Sequence, residues 1–185
     1  MNYETLMNAL LEKYMTKKTF SFWTALNNTI NSPWDKPTSS TGKYHQKEDG
    51  YVPSIAEHTY EMLYSLINIH SIFGVNKNSK ELDLLILGVV MHDIVKYGNE
   101  NDNKHTDTKH DKLIADRILD KKETFLKIFN EEEVDILIEM VRYHTGRWST
   151  DAKKDFDFKD FHPYVMFLHT LDMLSTRNCL KVGVI

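Results

Sequence analysis

The dipeptide His92-Asp93 closes an apolar run in LILGVVMHDIVKYG and sets an imidazole beside a carboxylate. Further potential ligands stand in other segments: His58 in AEHTYEML, His110 in TKHDKLIAD, His144 in VRYHTG and Asp172 in HTLDMLSTR. Divalent ions of the Mn, Fe, Co, Ni and Zn group accept imidazole and carboxylate together. Such an ion, alone or as one of two, acidifies bound water into a nucleophile near neutral pH and neutralises charge building on a phosphoryl oxygen. Any one of these residues by itself reads as an ordinary surface or hydrogen-bonded side chain. The ordered set is much harder to reach by chance, and it points to metal-dependent hydrolysis. Successive helical residues are turned by about 100°, so His92 and Asp93 can share one ion, or Asp93 can bridge two. A carboxylate at the C-terminal end of a helix also meets the negative end of the helix dipole, which a nearby cation offsets.

Phosphate handling needs cations besides a metal. Lys96 falls one turn after His92, where it can meet a phosphate oxygen or a leaving group. Arg147 follows His144 by three residues and Trp148 adjoins it, a guanidinium suited to clamping phosphate beside an indole suited to stacking on a base. Asp93, Lys96 and Arg147 are the candidate catalytic residues. Lys43 and His45 in a loop, and Arg177 five residues past Asp172, join Arg147 and Trp148 as candidate substrate contacts. A solvated lysine or an exposed loop explains each of these equally well, so the metal set carries the reading. His70 and His162 read as ordinary surface or core histidines. His169 shares the helix face of Asp172 and reads as a support for the site rather than a ligand.

Helices have to hold these side chains. Apolar spacing predicts a helix over residues 3–16 and a second from Ser21 to Ile30. Residues 31–52 lack periodicity but carry Trp34 and Tyr44, which suits an ordered loop at the site. Pro53 opens a helix to about Phe73, ended by Gly74. Ser79 caps the next, over 79–95, buried along Leu82, Leu85, Ile86, Val89 and Val90. A polar loop at 98–106 precedes helices at about 107–120, 121–129 and 131–144, the last opened by three glutamates. Residues 145–160 form another loop, and Pro163 starts a final helix to about Leu180. No strand pattern competes, so the class is all-α.

At 185 residues the chain suits one domain with a sizeable core. Its expected parts are N-terminal helices at 1–30, the ordered loop at 31–52 and a metal-binding helical core at 53–180. A net charge of -4 gives no whole-molecule attraction to duplex nucleic acid or anionic membranes. Cys179 is the single cysteine, which excludes an intramolecular disulfide and a cysteine-rich zinc module. The N-terminus lacks the apolar region of a secretory signal, and no apolar run approaches the roughly 18 residues a membrane span needs. A cytoplasmic location is the expectation. No GxxxxGK[ST] loop or GxGxxG turn supports an NTPase or a dinucleotide enzyme.

The segments PTSSTGKYHQKEDG and SIAEHTYEML, then LILGVVMHDIVKYG, KHDKLIADRIL, VRYHTGRW and FLHTLDMLSTR, resemble the HD-domain metal-dependent phosphohydrolases over about Pro37 to Arg177. Small HD hydrolases of bacteria and phages, and the HD domain of YhaM-type exoribonucleases, are the look-alikes. The resemblance implies a helical bundle with a five-helix core, to which the N-terminal helices are extra. It implies His58, His92, Asp93 and Asp172 as the primary metal set. In two-metal members Asp93 would bridge, with His110 and His144 on the second ion and His105 a lower-ranked substitute for His110. Many relatives carry a second histidine directly after the position of His144, where this chain has Thr145. The expected function is hydrolysis of a phosphoester in a nucleotide or short oligonucleotide, of phosphodiesterase type, with one or two divalent transition-metal ions. The alternatives are a single-metal nucleotidase or dNTP triphosphohydrolase, and a non-catalytic, metal-stabilised module that senses a nucleotide or binds a protein. A homo-oligomer is left open.

Overall fold

The computed structural model describes residues 2–41 and 50–176. Among these the elements are α1 (Tyr3–Tyr14), α2 (Lys17–Asn27), α3 (Ile55–Ile69), α4 (Lys80–Met91), α5 (His110–Asp120), α6 (Lys122–Phe125), α7 (Glu131–Tyr143) and α8 (Pro163–Ser175). The fold is all-α; an isolated bridge between Pro37 and Ser54 is the nearest thing to a strand among the described residues. No helix among the described residues is long and apolar enough to cross a membrane.

The centre is α4. Every residue from Leu82 to Met91 is buried, because α1, α3, α7 and α8 all pack on it. A helix covered on every side needs no polar face, which is why its sequence reads as a continuous apolar run. Gly88 marks the close approach to α7: a Cβ there would lie 2.3 Å from Met140 Cε. α5 packs on α7, and α7 and α3 pack on α8, which completes the bundle.

Local chemistry accounts for most element boundaries. Ser54, Ser79 and Asn130 cap α3, α4 and α7 with side-chain acceptors, and Asn130 forms a reciprocal capping box with Glu133. Gly74 ends the 3-10 extension of α3 with a φ of 75°. Pro53 therefore precedes α3 rather than opening it. The second helix starts at Lys17 and not near Ser21, because Thr16 caps it. That corner is also anchored from outside: buried Asp83 accepts from Thr16 N at 2.8 Å and from the Thr16 and Thr19 hydroxyls at 2.5 Å each. α4 stops at Met91 rather than 95, with the chain turning through His92 to Tyr97. There the Asn101 side chain accepts from Tyr97 N at 3.1 Å and donates to Ile94 O at 2.7 Å. The helices predicted at 107–120 and 121–129 both begin later, at His110 and Lys122; the first ends at Asp120 as expected and the second sooner, at Phe125. The last helix ends at Ser175 with Thr176 as its C-cap, and the rest of its predicted extent, 177–180, lies outside the described residues. The described part of the 31–52 loop is held to the start of α3 by Thr38 N to Pro53 O, Ile55 N to Lys36 O and Ala56 N to Trp34 O.

Candidate metal centre

Three of the four candidate histidine ligands stand at helix ends. His92 is the C-cap of α4, His144 the C-cap of α7, and His110 the first residue of α5. The last carbonyls of a helix lack an amide partner within it. His92 Nδ1 lies 2.7 Å from Val89 O and His144 Nδ1 lies 2.7 Å from Val141 O, so each ring donates to one of those carbonyls. His110 Nδ1 is 2.9 Å from Asp107 O. A carbonyl can only accept, so in each ring Nδ1 carries a proton, and the neutral form of each ring turns an Nε2 lone pair inward. His58 sits inside α3, and its Nδ1 meets Ser175 Oγ at 2.8 Å.

The Nε2 atoms converge in two pairs, His58 with His92 at 3.2 Å and His110 with His144 at 3.2 Å. Asp93 lies between the pairs. Its Oδ2 is 3.4 Å from His92 Nε2 and 3.8 Å from His58 Nε2; its Oδ1 is 3.1 Å from His110 Nε2 and 3.8 Å from His144 Nε2. Asp172 joins the first pair, with Oδ1 3.2 Å from His58 Nε2. Two clusters with metal-holding geometry result, His58, His92 and Asp93, and Asp93, His110 and His144. Residue exposures run from 0% at His58 and His92 to 8% at His110, so water contributes little to solvating this set.

The electrostatics follow from that burial. Burial pushes the Asp93 carboxyl up, but the Lys96 ammonium, then His92 and His110, hold it well below the usual carboxylate range. Burial pushes His92 down, and the Asp93 carboxylate outweighs it and leaves His92 raised. His144 is lowered to about 3 by burial and by the neighbouring His110 and His92. His144 is therefore in its neutral, ligand-competent form at ordinary pH.

The residues fit a divalent transition metal. In the neutral forms with Nδ1 as the donor, Nε2 lone pairs would face one another at 3.2 Å in each pair, an arrangement that a cation between them relieves. Asp93 Oδ1 is buried without a hydrogen bond of good geometry, although it stands 3.1 Å from His110 Nε2. Imidazole nitrogens and carboxylate oxygens are the donors that Mn, Fe, Co, Ni and Zn share. The rings are already oriented through their far nitrogens, as ligating histidines usually are.

All six sequence-derived metal candidates thus meet in one buried site. Lys96 joins them with Nζ 2.5 Å from Asp93 Oδ2, so its nearest partner is the central carboxylate. Arg147 and Trp148, on a 3-10 turn just past His144, stack on one another 4.8 Å apart at the surface, and Trp148 is 67% exposed. Lys43, His45 and Arg177 lie outside the described residues. His105 is exposed, which leaves His110 as the histidine of that segment in the site. Thr145 has its hydroxyl 2.8 Å from Ser149 Oγ. His169 donates from Nδ1 to His144 O at 2.7 Å.

Two contributors escaped the sequence reading. Ser175 supplies the partner of His58; its place one turn after Asp172 was the available signal. Buried Asp111 accepts from Thr150 N and Thr150 Oγ1 at 2.5 Å each, and so ties the 145–150 turn to α5 beside His110. A carboxylate next to a candidate ligand gave no separable signal.

The family model described as HD domain matches residues 55–178, well over half of the chain. No curated protein and no solved structure matches it.

Proposed function

Because the chain belongs to the HD-domain family, whose members are mostly metal-dependent hydrolases, we propose that it is a metal-dependent phosphohydrolase of nucleotides or short oligonucleotides, acting on phosphodiesters. The observation that carries this reading is Asp93, whose two oxygens face two separate histidine pairs. His58, His92, Asp93 and Asp172 would hold one ion; Asp93, His110 and His144 would hold a second. Divalent ions bound there supply a Lewis acid that lowers the pKa of water and offsets charge on phosphoryl oxygens, and a pair suits both the attacking and the leaving oxygen of a diester.

The chain's own residues orient and exclude. The backbone-bound Nδ1 atoms fix the rings before substrate arrives, so little reorganisation remains for the reaction itself. Lys96, at the edge of the first ligand set, would meet a non-bridging phosphate oxygen. Arg147 and Trp148 would receive the next phosphate and a base at the surface.

The test is hydrolysis by protein loaded with Mn2+ or Co2+. Bis(p-nitrophenyl) phosphate and short oligonucleotides should turn over faster than nucleoside monophosphates or dNTPs. Turnover of monophosphates or dNTPs alone would replace the diesterase reading with the nucleotidase or triphosphohydrolase one. A loaded protein inert on the whole panel would favour a binding module.

A further inference from the structure

The four inward-facing histidines are oriented in two different ways. His92 and His144 donate to carbonyls three residues back, and His110 to Asp107 O, so each ring is fixed by its own chain segment. His58 has no such choice. It lies within α3, where its own amide bonds to Ser54 O and the nearby carbonyls are taken up by helix amides. Its orienting partner has to come from another helix.

That partner is Ser175 on α8. Ser175 Oγ donates to Asp172 O at 2.8 Å, which leaves its lone pairs to accept from His58 Nδ1 at 2.8 Å. With its proton on Asp172 O, the hydroxyl favours the tautomer with Nε2 unprotonated, and it does so one turn after Asp172, whose carboxylate is 3.2 Å from that same Nε2. Ser175 is 8% exposed, so no bulk water stands ready to replace it. We propose that Ser175 is the positioning residue of the first metal set, coupling the α3 ligand His58 to the α8 ligand Asp172. This rests on the metal reading of the site, and it concerns ion binding rather than turnover. With alanine at 175, His58 Nδ1 loses its acceptor, the tautomer with the proton on Nε2 becomes available, and that tautomer cannot ligate.

The experiment is Mn2+ affinity, measured by competition against a fluorescent chelator, for wild type, Ser175→Ala and Ser175→Thr. Loss of an outer hydrogen-bond partner weakens metal binding by about 10–100-fold. That loss is expected for Ser175→Ala, along with a smaller rise in melting temperature on adding Mn2+. Ser175→Thr keeps the hydroxyl and should recover most of the affinity. A purely structural role would lower the melting temperature of the metal-free protein and leave the affinity unmoved, which overturns the proposal while the hydrolase reading stands. A wild type that takes up no ion overturns both.

Discussion

At the scale of single residues, Asp93 does more than any other side chain. Its oxygens divide between the His58–His92 pair and the His110–His144 pair, and Lys96 balances its charge. Asp93→Asn keeps the volume and removes the charge, so it should abolish hydrolysis and strip bound metal, as read by elemental analysis beside the phosphoester assay. Full activity in this variant would refute the site. His144→Ala is the finer probe, because His144 faces only the Oδ1 side of Asp93. One ion should remain while turnover falls about 100-fold or more, the scale of losing one electrostatic stabiliser of a transition state. Unchanged stoichiometry together with unchanged turnover would argue that a single ion suffices. The histidines were legible because metal ligands are chemically rare types in a fixed order. Ser175 was not, since a serine in an apolar helix reads the same whether it bonds a ligand ring or the carbonyl behind it.

At the scale of elements, the crossing of α4 and α7 sets the site. Gly88 and Met140 touch at the close approach, and one turn further along each helix stand His92 and His144, with ring centroids 5.1 Å apart. Gly88→Ala should be nearly neutral, because only the mobile end of Met140 has to give way and alanine favours the helix. Gly88→Leu would force the helices apart at a cost of about 1–3 kcal/mol. It should also lower metal affinity, since the rings move with the helix ends. Thermal melts and a metal titration on the two variants check both halves; a stable, tightly binding Gly88→Leu protein would contradict the crossing argument. Element types were legible from caps and apolar spacing, as Ser79 and the Asn130–Glu133 box show. Boundaries were less so: α2 begins at Lys17 with Asp83 of α4 gripping its cap, a contact from 64 to 67 residues away that no local window contains.

At the scale of the whole molecule, the site ties the bundle together. Its candidate ligands come from α3, the ends of α4 and α7, the start of α5, and α8, so an ion bound there would cross-link elements far apart in sequence. Binding to the folded state alone stabilises by about 2.7 kcal/mol when free metal is 100 times its dissociation constant. For a chain of this size that corresponds to a rise in melting temperature of roughly 5–10 °C. Adding Mn2+ to chelator-treated protein should produce this rise, and EDTA should reverse it. A melting temperature indifferent to both would mean that the helices meet without an ion between them.

The sequence by itself determined the all-α class, the six candidate metal ligands and the order in which they arrive, because residue type, spacing and capping are local properties. Only the tertiary structure decided that Asp93 stands between two histidine pairs, that Lys96 pairs with it, and that Ser175 meets His58. Those facts depend on distances between helices, which are set by packing at places such as Gly88 and Met140. Packing distance is a relation between segments, and no segment carries it alone.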